Sequence, residues 1–239
     1  MDAAVATAAA LGVTEPYSAG IGGGGYAVLY DARTGTVQTV DGRETAPRTA
    51  GPDLFLEDGK PIPFAEAVTS GLGVGTPGTP ATWRTLLGRW GSKPLGELLK
   101  PAERLARDGF TVDETFRAQT ADNQARFADF PASAKLFLPG GKLPETGSTF
   151  RNPDLARTYA ELGRKGVEAL YRGPLARDIV RTVNKPPCLR HRPRRPPRPP
   201  HRGRPRPLPH RAARADPYPL PGPGRRLHRP VLLRRHHRR

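Results

Sequence analysis

The chain has 239 residues, enough for one sizeable domain or two small ones, and a formal net charge of +17. That charge by itself points to a nucleic-acid or membrane partner, but residues 188–239 carry nearly all of it, with 17 arginines and one acid. The single cysteine excludes an internal disulfide framework and a cysteine-based zinc cluster, and no apolar run approaches the roughly 20 residues that span a bilayer.

The composition divides the chain at about residue 187. Residues 1–187 hold 22 basic and 21 acidic residues, the near-neutral balance of an ordinary globular sequence. Residues 188–239 contain all six histidines and 13 of the 29 prolines, and show no helical or alternating hydrophobic period. Such a segment buries too little apolar surface to offset its ordering entropy. We therefore predict a folded domain at 1–187, a tail at 188–239, and disorder from about residue 185 onward.

In chain order, the predicted elements are helices around one clear hairpin. Alanine-rich residues 2–13 predict a buried helix, which the glycines at 20–25 end. Residues 26–30 and 36–40 predict two strands joined by a turn. Further helices are predicted at 81–90, 94–109 (with Gly109 as C-cap), 113–125, 155–163 and 175–183, with 55–70 rich in loops and a turn at 171–173.

Three features of the folded part invite chemical interpretations that we reject or discount. The glycines at 20–25 match G-x-G-x-x-G, but a dinucleotide site needs strand before glycines before helix, and here the helix comes first. Close backbone packing is the better interpretation. Ser70, Thr76 and Thr79 have no histidine partner within 1–187, which excludes a Ser-His-Asp triad there. Cys188 stands at the start of the anomalous tail and carries little weight as a reactive thiol.

Five stretches together resemble the gamma-glutamyltranspeptidase family, in its order and spacing. They are DAAVATAAALGVTEPYSAGIGGGGY at 2–26, the hairpin into DGRETAP at 41–47, GTPGTPATW at 75–83, PAERLARDGF at 101–110 and GVEALYRGPLARDI at 166–179. The resemblance covers nearly all of residues 2–187 and corresponds to the front of the family's large subunit. Any one glycine-rich piece would be weak evidence, whereas five in register are specific.

The resemblance implies an α+β fold, the αββα sandwich of N-terminal-nucleophile hydrolases, represented by its large-subunit portion. In this family one precursor cuts itself into two subunits, and the new N-terminal threonine of the small subunit attacks the γ-glutamyl amide of glutathione or similar donors. Water or an amino acid then resolves the acyl-enzyme, giving hydrolysis or transpeptidation. No metal or organic cofactor is implied. The family is secreted or periplasmic, whereas the start of this sequence shows no leader pattern and predicts a cytoplasmic chain.

Arg43 in DGRETAP is the one candidate substrate-binding residue. It follows the second hairpin strand, and its guanidinium fork suits bidentate binding of a carboxylate. From the residues alone, a surface arginine paired with Glu44 or Asp41 is the stronger interpretation. The resemblance reverses that preference, since it implies that the arginine of this motif holds the α-carboxylate of the γ-glutamyl group. Glu44 is then a partner that orients Arg43.

No catalytic residue is predicted in this chain, because the resemblance places the threonine nucleophile in the small subunit. We expect an inactive truncated homologue with the small subunit as its missing partner, no specific nucleic acid and no membrane. Completion by a separately encoded small subunit is a second possibility. The alternative function is nucleic-acid binding through the arginine-rich tail.

The tail itself suggests a slip of the reading frame near codon 187. Only Cys188 and Tyr218 in the tail require a codon that begins with T, as expected if a wobble position of a GC-rich gene had become the first base. The tail also has a single aromatic residue, Tyr218, for stacking on bases. Both observations count against a genuine nucleic-acid-binding tail.

Overall fold

A computed structural model describes residues 1–48 and 50–187, together with the backbone of residues 215–219. Ten α-helices lie in this part of the chain: α1 Asp2–Thr14, α2 Phe64–Ala67, α3 Thr79–Trp90, α4 Leu95–Asp108, α5 Glu114–Asp122, α6 Gln124–Ala128, α7 Pro131–Phe137, α8 Pro153–Lys165, α9 Glu168–Tyr171 and α10 Pro174–Asn184. The strands there are β1 Gly25–Asp31, β2 Thr36–Gly42, β3 Leu56–Glu57, β4 Lys60–Pro61, β5 Phe110–Thr111, β6 Thr149–Phe150 and β7 Ala215–Pro219.

The predicted hairpin is confirmed, and it belongs to a three-stranded sheet in the order β1-β2-β7, with β2 in the centre. β1 and β2 pair antiparallel from Gly25 opposite Gly42 to Asp31 opposite Thr36. The turn closes because the Asp31 carboxylate accepts a hydrogen bond from the Arg33 N–H at 2.9 Å and Gly35 adopts a φ of +66°. The hairpin therefore depends on local turn chemistry that the sequence already displays.

One hydrophobic core joins the long helices to one face of this sheet. Its fully buried members come from α1, α3, α4, α8 and the segment around α9, and Val40 of β2 packs with them. Two glycines allow close approach between α4 and α8. A Cβ added to Gly96 would lie 2.7 Å from the Gly163 carbonyl oxygen, so the two backbones touch at this crossing.

Capping residues set several helix ends, one of which the sequence predicted. Gly109, the predicted C-cap of α4, adopts a φ of +97°. Asp113 caps α5 by accepting the Phe116 N–H at 2.7 Å, and Asn152 caps α8 by accepting the Leu155 N–H at 3.0 Å. These caps set where the helices start after loops, and thereby orient them towards the core.

The segment between α4 and α8 departs from the prediction of one helix over 113–125. That helix breaks at Asn123, whose side chain donates to the Gln119 carbonyl at 2.9 Å, and α6 and α7 follow. The reason is a second, aromatic cluster around Phe116 and Phe150, with ring centroids 4.8 Å apart. Phe127 of α6 also stacks on Phe137 of α7, with ring centroids 4.4 Å apart, so the chain folds back between these two helices.

The tail shows one departure from the predicted disorder. Ala215–Pro219 pairs antiparallel with β2, from Ala215 opposite Val40 to Pro219 opposite Thr36. Strand pairing uses only backbone groups, so a segment without any hydrophobic period satisfies an open sheet edge. Cys188 and the remaining tail residues lie outside the described residues. Within the described residues, no helix combines the length and apolarity needed to cross a bilayer.

Candidate functional site

Arg43 lies immediately beyond β2, as predicted, where the sheet meets two glycine-containing loops. Its own N–H donates to the Asp41 carboxylate at 3.0 Å, which holds the backbone at the end of the strand. The side chain is 56% exposed, so the guanidinium is open to a solute. The end of β2 therefore fixes where the positively charged Arg43 lies on the surface of the domain.

Glu44 is the side chain that pairs with Arg43. The Arg43 Nε lies 3.4 Å from the Glu44 Oε2, an oxygen that is buried and makes no hydrogen bond to the residues that the structure describes. In the part of the chain that the structure describes, this is the ion pair that Arg43 forms, and it engages Nε rather than the two terminal nitrogens. A guanidinium held through Nε keeps Nη1 and Nη2 available as a parallel pair of donors, the arrangement that a carboxylate fits.

Three loop segments meet beneath this arginine through backbone hydrogen bonds. The Gly23 carbonyl accepts from the N–H groups of Gly78 and Thr79 at 2.9 and 3.0 Å. Thr45 and Thr76 form a two-way bridge, with N–H to carbonyl distances of 3.3 and 2.8 Å. The Arg43 segment is thus held from both sides, by the glycines at 20–25 and by the loop at 75–79.

Glycine is required where these segments touch. A Cβ on Gly24 would lie 2.4 Å from the Gly42 carbonyl oxygen, and one on Gly78 would lie 1.8 Å from the same atom. Both distances are far below van der Waals contact and involve backbone atoms, so neither clash is relieved by a rotamer change. The close-packing interpretation of residues 20–25 is confirmed at Gly24, and Gly78 in the 75–79 loop makes an equally close contact.

Tyr171 is a residue of this region that sequence reasoning missed, since it was assigned to a turn. It is the last residue of α9 and is fully buried. Its hydroxyl donates to the Pro77 carbonyl at 2.8 Å and accepts from the Ala81 N–H at 3.1 Å. One hydroxyl thereby satisfies a free donor in the first turn of α3 and fastens the 75–79 loop. Its place directly after the apolar Leu170 was the available signal of burial.

Burial of two tyrosines predicts a specific dependence of stability on alkaline pH. Burial raises the pKa of Tyr171 from its ordinary value near 10 to about 12, and burial also raises the pKa of Tyr159. Above pH 10 the unfolded chain loses phenolic protons that the folded chain keeps. The free energy of unfolding should therefore be constant in this respect below pH 10 and should fall as pH rises towards 12.

Urea unfolding at pH values from 8 to 11.5 measures this slope. Phenylalanine at both positions, Tyr159→Phe with Tyr171→Phe, removes the titrating groups and should flatten the decline between pH 10 and 11.5. An equal decline in the double variant would show that other groups cause the alkaline loss.

The hydroxyls excluded as nucleophiles have structural contacts instead. Ser70 accepts the Leu72 N–H at 3.2 Å and donates to the Ala67 carbonyl at 2.8 Å, which caps a short 3-10 turn. Thr76 is 5% exposed and Thr79 opens α3, with both engaged through their backbones. Among the described residues, no group of three or more His, Cys, Asp or Glu side chains is arranged to hold a metal ion.

Comparison with known sequences agrees with the resemblance seen in the motifs. The family model described as Gamma-glutamyltranspeptidase matches residues 1–188. The chain is 41% identical over 184 residues to the glutathione hydrolase proenzyme of Bacillus subtilis (strain 168), and 33% identical over 192 residues to that of Escherichia coli (strain K12). Each match covers 77% of this chain but only 31% and 32% of the relative's length.

Solved structures show the same similarity in three dimensions. The gamma-glutamyltranspeptidase of Helicobacter pylori superposes with a TM-score of 0.71 at 33% identity, covering 74% of this chain and 51% of that one. That of Pseudomonas nitroreducens, complexed with L-DON, gives 0.68 at 32% identity, covering 76% and 52%. The fold is accordingly the α+β fold of the N-terminal-nucleophile hydrolases, represented in part.

The chain belongs to the gamma-glutamyltranspeptidase family and spans about a third of the length of the curated relatives it matches. Each of these relatives is made as one precursor that contains a large and a small subunit, and this chain matches a portion of that precursor. The alternative of a nucleic-acid-binding protein gains no support from the comparisons.

Proposed function

We propose that residues 1–187 form the substrate-holding part of an enzyme that transfers or hydrolyses the γ-glutamyl group of glutathione and related compounds. Arg43 binds the α-carboxylate of that group, and Glu44 orients Arg43. The attacking threonine belongs to the small subunit of the same precursor. The single observation that carries the proposal is the geometry of Arg43, which is half-exposed, paired with Glu44 through Nε, and placed on a backbone segment that two neighbouring loops hold.

The role of Arg43 follows from what its surroundings leave available. A free surface arginine would spend conformational entropy on binding, which makes exposed ion pairs weak. Here the Thr45–Thr76 bridge fixes the backbone next to Arg43, and Glu44 attracts the guanidinium from one side, so part of the ordering cost is met before a ligand arrives. When Arg43 binds the α-carboxylate of a γ-glutamyl compound, the γ-amide lies one glutamyl side-chain length away from the guanidinium. At that distance a second subunit can reach the amide.

The sheet presents a surface for that second subunit. Tyr26, Val28 and Tyr30 alternate along β1 and are 70%, 69% and 55% exposed, on the face away from the helical core. An apolar sheet face normally packs against another layer. We assign this face to a sheet contributed by the small subunit, which would complete the sandwich and bring its threonine to the Arg43 end of β2.

Ligand binding to the full chain tests the role of Arg43. A γ-glutamyl anilide should bind to the wild-type chain, and its α-carboxamide analogue, which lacks the α-carboxylate, should bind more weakly. Arg43→Ala should weaken binding of the carboxylate ligand by roughly 10- to 100-fold, the range for losing hydrogen bonds to a charged group. The same change should leave the carboxamide ligand nearly unaffected. NMR titration or calorimetry gives both constants.

Arg33 supplies the matched control. It lies at the other end of the hairpin, its side chain is 90% exposed, and it also pairs with a neighbouring carboxylate, that of Asp31. Arg33→Ala changes the net charge equally and should leave both affinities unchanged. Equal losses in the two arginine variants, or equal loss of both ligands in Arg43→Ala, would show that Arg43 does not hold the carboxylate.

A further inference from the structure

The outer edge of β2 is occupied by a segment that is remote in the sequence. β7, Ala215–Pro219, pairs with Thr36–Val40 in antiparallel register, with Gln38 opposite Pro217 and Val37 opposite Tyr218. An open strand edge presents a row of unpaired N–H and carbonyl groups and attracts any extended chain. The outer edge of β2 is therefore a surface that can bind an extended segment.

The two prolines of β7 determine which side of the segment faces β2. Pro217 and Pro219 are two residues apart, so in an extended chain their nitrogens point to the same edge. A proline nitrogen carries no hydrogen, and a ladder needs donors. The donors that face β2 must therefore belong to Asp216 and Tyr218, opposite Thr39 and Val37. The proline nitrogens face outwards, where a further strand would have to pair.

The same alternation divides the amide groups of β2 between its two neighbours. In the hairpin, the closing pair is Asp31 opposite Thr36, and each second residue along β2 points its N–H in the same direction. If the N–H groups of Val37 and Thr39 donate to β7, then those of Gln38 and Val40 donate to β1. The exchange rates of the first pair of amides therefore measure the pairing with the tail, and those of the second pair measure the hairpin.

We propose that the outer edge of β2 is a strand-docking surface whose occupant is the chain's own segment Ala215–Pro219. The two prolines close the sheet at its outer side. Because the contact is made by backbone groups, it requires an extended segment with N–H groups at the positions that face β2, and the positions that face outwards can be prolines. It depends neither on the charge of the tail nor on the proposed γ-glutamyl function of residues 1–187.

The length of the connection favours the chain's own segment over a second copy. Residues 185–214 separate the end of α10 from β7 in the sequence, and the entropy of closing a loop grows only slowly with the number of residues in it. A tethered segment is present at an effective concentration on the order of millimolar. At micromolar protein concentration, the chain's own segment should therefore occupy the outer edge of β2. A second copy of the chain should displace it only at a much higher protein concentration.

Amide hydrogen exchange of the full chain by NMR tests the docking. In the wild type, Val37, Gln38, Thr39 and Val40 should all be protected. Asp216→Pro removes a donor that faces β2 and should speed exchange at Val37 and Thr39 by about tenfold or more, while Gln38 and Val40 keep their protection. Ala215→Pro is the matched control, because the nitrogen of residue 215 faces outwards like those of the two native prolines, and it should leave all four amides protected.

Three results would contradict docking of this segment through its backbone. Asp216→Ala keeps the donor and removes the carboxylate, so rapid exchange in that variant would attribute the contact to the side chain and overturn a backbone mechanism. Unchanged protection of Val37 and Thr39 in Asp216→Pro would show that this segment does not occupy the edge. Protection that rises with protein concentration across the micromolar range would assign the edge to a second copy.

A second variant tests the closing role of the prolines. Restoring both outward N–H groups with Pro217→Val and Pro219→Val should leave Val37 and Thr39 protected and create a new open edge. Sedimentation velocity should then show concentration-dependent dimers that the wild-type chain does not form at the same concentration. A double variant that sediments like the wild type would show that the prolines do not limit the sheet.

Discussion

Alanine at Gly78 is expected to lower the free energy of unfolding by about 2–4 kcal/mol and to abolish the fixed position of Arg43. The added Cβ would lie 1.8 Å from the Gly42 carbonyl oxygen, 2.7 Å from the Gly42 carbonyl carbon and 3.1 Å from the Arg43 carbonyl oxygen. All three atoms are backbone, so the loop must move away from the end of β2. That movement would break the hydrogen bond from Gly78 to Gly23 and the bridge between Thr45 and Thr76.

Urea unfolding followed by far-ultraviolet circular dichroism measures the loss, and titration with the γ-glutamyl anilide measures the effect on Arg43. Gly88→Ala is the control, because Gly88 lies within α3 and an added Cβ there meets no atom within 4 Å. That change should stabilise the chain by about 0.5–1 kcal/mol through the higher helix propensity of alanine. A Gly78→Ala chain as stable as Gly88→Ala would show that the two loops are not in contact.

Leu99→Ala is expected to cost about 2–5 kcal/mol, the range for emptying a well-packed leucine site. Leu99 is 1% exposed and lies in α4, whose other faces contact α1 and α8. Those helices cannot close the cavity because Gly96 and Gly163 already place the α4 and α8 backbones in contact. The loss therefore includes a cavity term as well as the transfer of the side chain.

The same urea experiment compares this variant with Leu11→Ala. Leu11 is also a helical leucine, in α1, but it is 43% exposed, so its truncation should cost about 0.5 kcal/mol or less. A difference between the two variants below about 1 kcal/mol would mean that α4 is not packed as the structure shows.

Local chemistry accounts for the success of predicting the hairpin and most long helices. The turn between β1 and β2 is closed by Asp31 and Gly35, and the end of α4 is set by Gly109, all within a few residues of what they terminate. Arg43 was placed correctly for the same reason, since it directly follows a predicted strand. Its role at a γ-glutamyl carboxylate stays a prediction that the binding experiment tests.

Contacts between distant residues account for the errors. The break at Asn123 comes with aromatic stacking between Phe127 and Phe137, which the helical pattern of 113–125 does not register. The strand at Ala215–Pro219 depends on an edge of β2 that is far away in the sequence, since Asp216 pairs with Thr39, 177 residues earlier. Composition predicts disorder from a lack of apolar surface to bury, whereas an open strand edge binds a segment through backbone groups. A segment without apolar side chains can therefore still pair with a sheet.

The sequence by itself determined the β1–β2 hairpin and the family motifs, and it predicted a division of the chain near residue 187 and Arg43 as the candidate site. Only the tertiary structure decided how Arg43 is held, through Gly78 against Gly42 and through the Tyr171 hydroxyl between Pro77 and Ala81. The physical reason is the separation in sequence between the interacting groups. Turns, caps and helical periods arise from groups a few residues apart, whereas a backbone-to-backbone contact or a buried hydroxyl acquires its partner only when distant segments pack.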